Sequence, residues 1–271
     1  MTDIVLEARS VSHRYPQFSG WLRRPIGVVR AVDGVTCELA QGERLGLVGE
    51  SGCGKTTLAK ILGGLLVPTE GEVRLRGASW AALRGAAYRQ ARALAQFIFQ
   101  DPMGSLNPRL TVEQALREPL LIHGLAQGAA CRARVEELLA SVQLPAAIRH
   151  RLPRELSGGE RQRVGIARAL ATDPKVLICD EPIASLDVSV GAQILELLRE
   201  LSQQRRLALL FISHDLRAVA CLCTRVSVMR RGRFLETAPT DTLLSHPRHP
   251  YTQLLIRCAS LDLDAVDTLP E

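Results

Sequence analysis

Apolar and polar positions alternate at Ile4, Leu6 and Ala8 and again at Val35, Cys37 and Leu39, which predicts two early antiparallel strands. RLGLV (44–48) differs: it is a near-continuous apolar run leading into glycine, the pattern of a strand buried on both faces. A helix is expected from Lys55 to about Leu66, stopped by Pro68, followed by strands EVRLR (72–76) and QFIFQ (96–100). Between about 101 and 155 the period turns helical, at Val112–Leu116 and at Val135, Leu138, Leu139 and Val142. Strand–helix alternation then resumes with VLICD (176–180), a helix over 189–204, LALLFIS (207–213), a helix after Asp215 and RVSVM (225–229). Strands separated by helices predict a mainly parallel sheet, hence an α/β fold carrying a helical insert. Residues 16–30, PQFSGWLRRPIGVVR, read as a long loop between two strands, and DLDAVDTLPE at the end reads as a loose tail.

Composition narrows the setting. The 271 residues suit one large domain or two small ones, and a hydrophobic content of 46% is ample for a core. No apolar run approaches the ~18 residues that span a bilayer; LALLFI (207–212) has core-strand length. The opening MTDIVLEARS carries acids and no basic-then-apolar start, so no secretory signal is expected. Seven cysteines, an odd number without C-x-x-C pairing, point to a reducing compartment. The net charge of +6 is spread out, with no basic block interleaved with aromatics, so nucleic acid is not an expected partner.

The chemistry begins at Gly49-Glu50-Ser51-Gly52-Cys53-Gly54-Lys55-Thr56-Thr57, which fits G-x-x-x-x-G-K-[ST] between a predicted strand and a predicted helix. Glycines let backbone N–H groups approach phosphates, and the helix N-terminus favours negative charge. Lys55 is placed to reach the β and γ phosphates, and Thr56 to offer its hydroxyl to Mg²⁺. Cys53 reads as a small loop filler. VLICDE (176–181) is the second half of such a site: Asp180, at a strand's carboxyl end, suits Mg²⁺, and Glu181 suits polarising a water for attack on the γ phosphate. In LSGGERQRVGIARAL (156–170), Ser157-Gly158-Gly159 precedes a helix with an apolar face at Val164, Ile166, Ala167 and Leu170. This is a second helix N-terminus with bare amides, although Ser157 and Glu160 also fit an ordinary capping box. One ATP needs only one phosphate loop, so the second cradle looks redundant.

LSGGERQR resembles the signature motif of ATP-binding-cassette (ABC) ATPases, usually written LSGGQ; glutamate at 160 is a common variation. The resemblance covers about 4–240. It implies a P-loop NTPase (RecA-like) core in an ATPase domain over 1–240, with a helical subdomain over about 101–156 and a short extension over 241–271. It also implies that the signature residues Ser157, Gly158 and Gly159 close on ATP held by another subunit, in a head-to-tail dimer of this chain with itself or a paralogue. By the same resemblance Tyr15 stacks on adenine, Gln100 senses Mg²⁺ and the transported load, and Ser185-Leu186-Asp187 crosses the dimer interface. His214 contacts the γ phosphate and holds the attacking water with Glu181. The implied catalytic set is thus Lys55, Gln100, Glu181 and His214, with Thr56, Gln100 and Asp180 around Mg²⁺.

FQDPMGSLNPRLTV (99–112), SHPRHPYTQLL (245–255) and the loop before AVDGV (31–35) resemble the ATPase subunits of bacterial dipeptide, oligopeptide and nickel importers. Such a subunit lies peripherally on the cytoplasmic face of the inner membrane. It works with two permease subunits and, indirectly, an extracytoplasmic solute-binding protein. Peptides and nickel or a metal chelate are the implied cargoes, and an exporter subunit or a soluble cassette acting on DNA or ribosomes are the alternatives. His246 and His249 read as part of a proline-bounded connector, since no further metal ligand lies nearby. Many relatives carry a cysteine-rich extension that can hold an iron–sulfur cluster. Only Cys258 follows the HPYTQ segment, and Cys221 and Cys223 are too close together, so no cluster is expected.

Overall fold

The computed structural model describes residues 3–19, 24–100, 104 and 106–264. β1 (Ile4–Ser19) and β2 (Arg24–Ala40) form one long antiparallel hairpin, and β3 (Arg44–Val48) leads into α1 (Lys55–Leu62). β4 (Glu70–Leu75), β5 (Ala78–Ser79), α2 (Gly85–Leu94) and β6 (Ala95–Ile98) follow. α3 (Val112–Ile122) starts at a capping box, in which the Thr111 hydroxyl accepts the Gln114 N–H while the Gln114 side chain accepts the Thr111 N–H. α4 (Gly128–Ser141) and two short 3₁₀ turns, Ala146–His150 and Pro153–Glu155, lead to α5 (Gly158–Leu170). The second half reads β7 (Val176–Asp180), α6 (Val188–Arg205), β8 (Ala208–Ile212), α7 (Leu216–Leu222), β9 (Arg225–Arg230) and β10 (Arg233–Pro239). α8 (Thr240–Ser245) and α9 (Pro250–Asp264) complete it.

Two sheets result. One is antiparallel in the order β2-β1-β4-β5; the other runs β10-β9-β3-β8-β7-β6, parallel except where β10 meets β9. In the second sheet the central strands β7 and β8 are buried along their whole length because both faces are covered. Alternation along them sorts residues into two cores. Val176, Ile178, Leu210 and Ile212 face α1 and the antiparallel sheet, joining Val5, Val11, Leu58 and Ile61. Leu177, Cys179, Leu209 and Phe211 face the other way, onto α5, α6 and the helices of the insert, with Leu116, Leu138, Ile166 and Leu198. The insert therefore shares its core with the sheet.

The loop read at 16–30 is instead largely strand. Tyr15 pairs with Val29 and Gln17 with Gly27, extending the hairpin well beyond the core. Ile26 and Val28 are exposed there, so the stretch shows no alternation to read. Pro25 is tolerated because β2 is an edge strand, and Pro16 because it lies beyond Ser12, where the pairing of β1 with β4 ends. The C-terminal tail read from 262 is helical up to Asp264, and residues 265–271 lie outside the described part. Among the described residues, no helix is long and apolar enough to cross a membrane.

Candidate active site

The turn after β3 closes tightly on its neighbours. Gly54 has φ 112°, and a Cβ there would stand 2.0 Å from the Ala31 carbonyl oxygen; one on Gly49 would stand 2.1 Å from that of Met229. Only glycine fits either place. Lys55 is buried beneath the turn, its ammonium donating to the carbonyls of Gly49 (2.7 Å) and Glu50 (2.9 Å). Cys53 packs inside the same turn, and burial pushes its thiol pKa up, as befits a filler rather than a reactive thiol. Thr56, on the first turn of α1, donates its hydroxyl to Asp180 Oδ1 at 3.2 Å. β7 delivers Asp180 there, buried, and burial raises its pKa against the opposing pull of the Thr56 hydrogen bond.

Glu181, the next residue, takes a left-handed φ of 48° and ties its N–H to the Ile212 carbonyl at 3.0 Å. This turn separates its carboxylate from that of Asp180. Two side chains from other strand ends meet Glu181 at one atom. Gln100 Nε2, past β6, lies 3.3 Å from Glu181 Oε2, and His214 Nδ1, past β8, lies 3.3 Å from the same oxygen. Parallel neighbours β6, β7 and β8 end on one edge of the sheet, which is why residues so distant in sequence converge.

A cavity of about 590 Å³ brings most of the expected set together: Ser51, Gly52, Cys53, Gly54, Lys55, Thr56, Thr57, Gln100, Glu181 and His214 line it. Val29, Arg30, Ala31, Arg231 and Gly232 complete its wall and were not singled out from the sequence. Val29 and Arg30 sit in the stretch read as loop and Ala31 follows it directly; Arg231 and Gly232 form a turn whose pattern carries no chemical signal. Tyr15 is outside the lining. It is 41% exposed, its ring set edge-to-face against His13, one strand over from Val29.

The second cradle lies elsewhere. Among the described residues, the lining of that cavity includes none of Ser157, Gly158, Gly159 and Asp187. Ser157 caps α5 in a capping box: the Ser157 N–H donates to Glu160 Oε2 at 2.7 Å, and the Glu160 N–H to Ser157 Oγ at 3.2 Å. The bare Cα atoms of Gly158 and Gly159 face Leu186 and Val190, so this cradle packs on the segment that carries Asp187. Asp187 lines a separate 360 Å³ cavity whose wall also includes Glu181 and His214. Beside it Val188 is 92% exposed, an apolar side chain directed at solvent in the single chain. His246 meets Ser245, and His249 accepts the Tyr251 N–H, as parts of a connector.

Comparison with known proteins places this geometry. Residues 32–184 match the family described as ABC transporter. The oligopeptide transport ATP-binding protein AppF of Bacillus subtilis is 44% identical, over 94% of this chain and 78% of its own. OppF of Salmonella typhimurium, an oligopeptide transport ATP-binding protein, is 44% identical over 87% of this chain and 71% of its own. A probable peptide ABC transporter ATP-binding protein of Sinorhizobium fredii is 46% identical over 96% of this chain and 73% of its own. A dimeric post-hydrolysis structure of the ATP-binding cassette MJ0796, bound to ADP and Pi, superposes with a TM-score of 0.76 at 28% identity, covering 87% of this chain and 98% of that one. The chain belongs to the ABC transporter family and is one of its ATP-binding, ATP-hydrolysing cassettes.

Proposed function

We propose that this cassette powers peptide uptake, paired head to tail with a second cassette (itself or a paralogue) and docked on two permease subunits at the cytoplasmic face of the membrane. A solute-binding protein would hand over the cargo on the far side. The peptide reading is supported by the relatives in three organisms, whose names specify peptide or oligopeptide transport.

The observation that carries the mechanism is the meeting of Gln100 and His214 at one oxygen of Glu181, inside the cavity that holds the phosphate loop. Glu181 accepts the proton of the attacking water, and His214 and Gln100 orient its carboxylate. Lys55 and the amides of the loop offset the charge that builds on the γ phosphate. Thr56 and Asp180, two hard oxygen donors facing each other at 3.2 Å, fit Mg²⁺, which when bound supplies further neutralisation of phosphate charge. Ser157 and Gly159 of the neighbouring cassette close the pocket and exclude water. Their absence from the cavity lining of their own chain supports this split arrangement. A 270 Å³ cavity lined by Phe97, Phe99, Leu106, Pro119 and Ile122, between the end of β6 and the helical insert, is where a permease loop would be gripped.

Glu181→Gln in the assembled transporter tests the reading. Nucleotide binding is retained and hydrolysis falls by about 10³-fold, the dimer being trapped closed. Retained multiple turnover would reject Glu181 as the base.

A further inference from the structure

The proline- and histidine-rich connector after β10 has a job that the ATPase mechanism leaves unassigned. Glu236 accepts the backbone N–H groups of Arg248 (2.9 Å) and His249 (3.0 Å). Gln253 Nε2 donates to the Pro247 carbonyl at 3.0 Å, and His249 Nδ1 accepts the Tyr251 N–H at 3.1 Å. Pro250, at the first helical position, has no N–H to leave unpaired. These bonds fix where α9 begins and turn Tyr251 inward, to 5% exposure.

Its ring lies under the Arg230 guanidinium, 4.5 Å from the ring centre. Its Oη accepts the N–H of Glu50 at 3.3 Å. Glu50 is the second residue of the phosphate loop, and its carbonyl receives the Lys55 ammonium at 2.9 Å. One peptide-linked residue thus joins α9 on its N–H side and the catalytic lysine on its C=O side. Tyr251 does not line the 590 Å³ cavity, so it acts on nucleotide only through the loop.

We propose that Tyr251 is a positioning residue for nucleotide binding, a tether from α9 that holds the entry of the phosphate loop in its binding-competent form. The proposal rests on reading residues 49–57 as the nucleotide site. A loop that spends part of its time in other conformations binds more weakly by the fraction of time it is competent. Because the tether acts on the loop and not on the γ phosphate, ATP and ADP should weaken by the same factor.

The test is Tyr251→Phe, which keeps the ring under Arg230 and removes only the hydroxyl. Titration of the full chain with Mg-ATP and Mg-ADP should give dissociation constants raised by about five-fold for both, the order expected for one lost hydrogen bond. A purely structural role would lower the thermal midpoint and leave both constants unchanged, and that result overturns the inference. Wild-type chain that bound neither nucleotide would overturn the reading of the loop and the inference together. Hydrogen exchange on the wild-type chain needs no variant: the Glu50 amide should resist exchange without nucleotide. Free exchange at that amide overturns the tether even if the phenylalanine chain fails to fold.

Discussion

The molecule holds two glycine-rich turns that open onto helix N-termini, and they are built by opposite means. The turn before α1 has no side-chain cap; Gly54 sits at the cap position in a left-handed conformation, and a buried lysine supplies positive charge beneath the amides. The turn before α5 is capped by side chains, with Ser157 and Glu160 each bonded to the other's backbone N–H. It carries a carboxylate where the first carries an ammonium. The first therefore offers an anion both bare amides and a cation, whereas the second pairs the Ser157 and Glu160 amides within its own chain and sets a carboxylate beside those of Gly158 and Gly159. That asymmetry is what the proposed arrangement requires, a nucleotide gripped by one chain and enclosed by another.

The largest effect that separates the two comes from Gly54→Ala. The new Cβ would stand 2.0 Å from the Ala31 carbonyl, at a φ that side chains rarely adopt, so the turn must rebuild. Nucleotide affinity should drop by at least about 100-fold, measured by titration of the isolated chain; a loss of about 3 kcal/mol is modest for such a clash. Near-normal affinity would mean that the loop is not the primary grip. Next comes Ser157→Arg, which removes the cap and puts a long cation in the second cradle. Binding to the same chain's own loop should persist, while hydrolysis disappears in a transporter whose signatures all carry the change. Normal rates there would show that the second cradle takes no part in closure. Weakened binding in the single chain would show that the two cradles are not independent.

How much of this was legible in sequence depended on burial. β7 was readable to the residue, because a strand covered on both faces is apolar throughout and ends where Asp180 and Glu181 begin. Glu181 followed from that strand end, Lys55 and Thr56 from the phosphate-loop motif, and Gln100 and His214 from the family resemblance; all five line one cavity. The outer part of the β1–β2 hairpin was not legible. Its stability comes from backbone pairing between strands with exposed side chains, so Ile26 and Val28 look misplaced and Pro16 looks like a breaker. Val29 and Arg30 were lost with it, and with them part of one wall of the site. α2 was missed for a similar reason, since Ala91 is the one residue buried among its ten and leaves no apolar stripe. Tyr251 was hidden differently. A tyrosine after two prolines and two histidines reads as connector, and only the fold brings it to Glu50.

The smallest effect sharpens the comparison at its root, in the cap. Ser157→Ala removes the hydroxyl that accepts the Glu160 N–H and leaves the rest of the turn in place. If the second cradle is held by its own side chains, this should cost about 1 kcal/mol of stability, the usual worth of an N-cap, and lower the thermal midpoint by about 2–4 °C. Affinity for nucleotide in the single chain should not move, because Ser157 lies outside the lining of that cavity. The first cradle has no equivalent residue, since its cap is Gly54 and its stability comes from Lys55 and the close carbonyls around it. A stability unchanged by Ser157→Ala would mean that α5 is held by its packing on Leu186 and Val190 alone. The serine would then be free of structural duty, and its presence would be explained by the phosphate of the neighbouring chain.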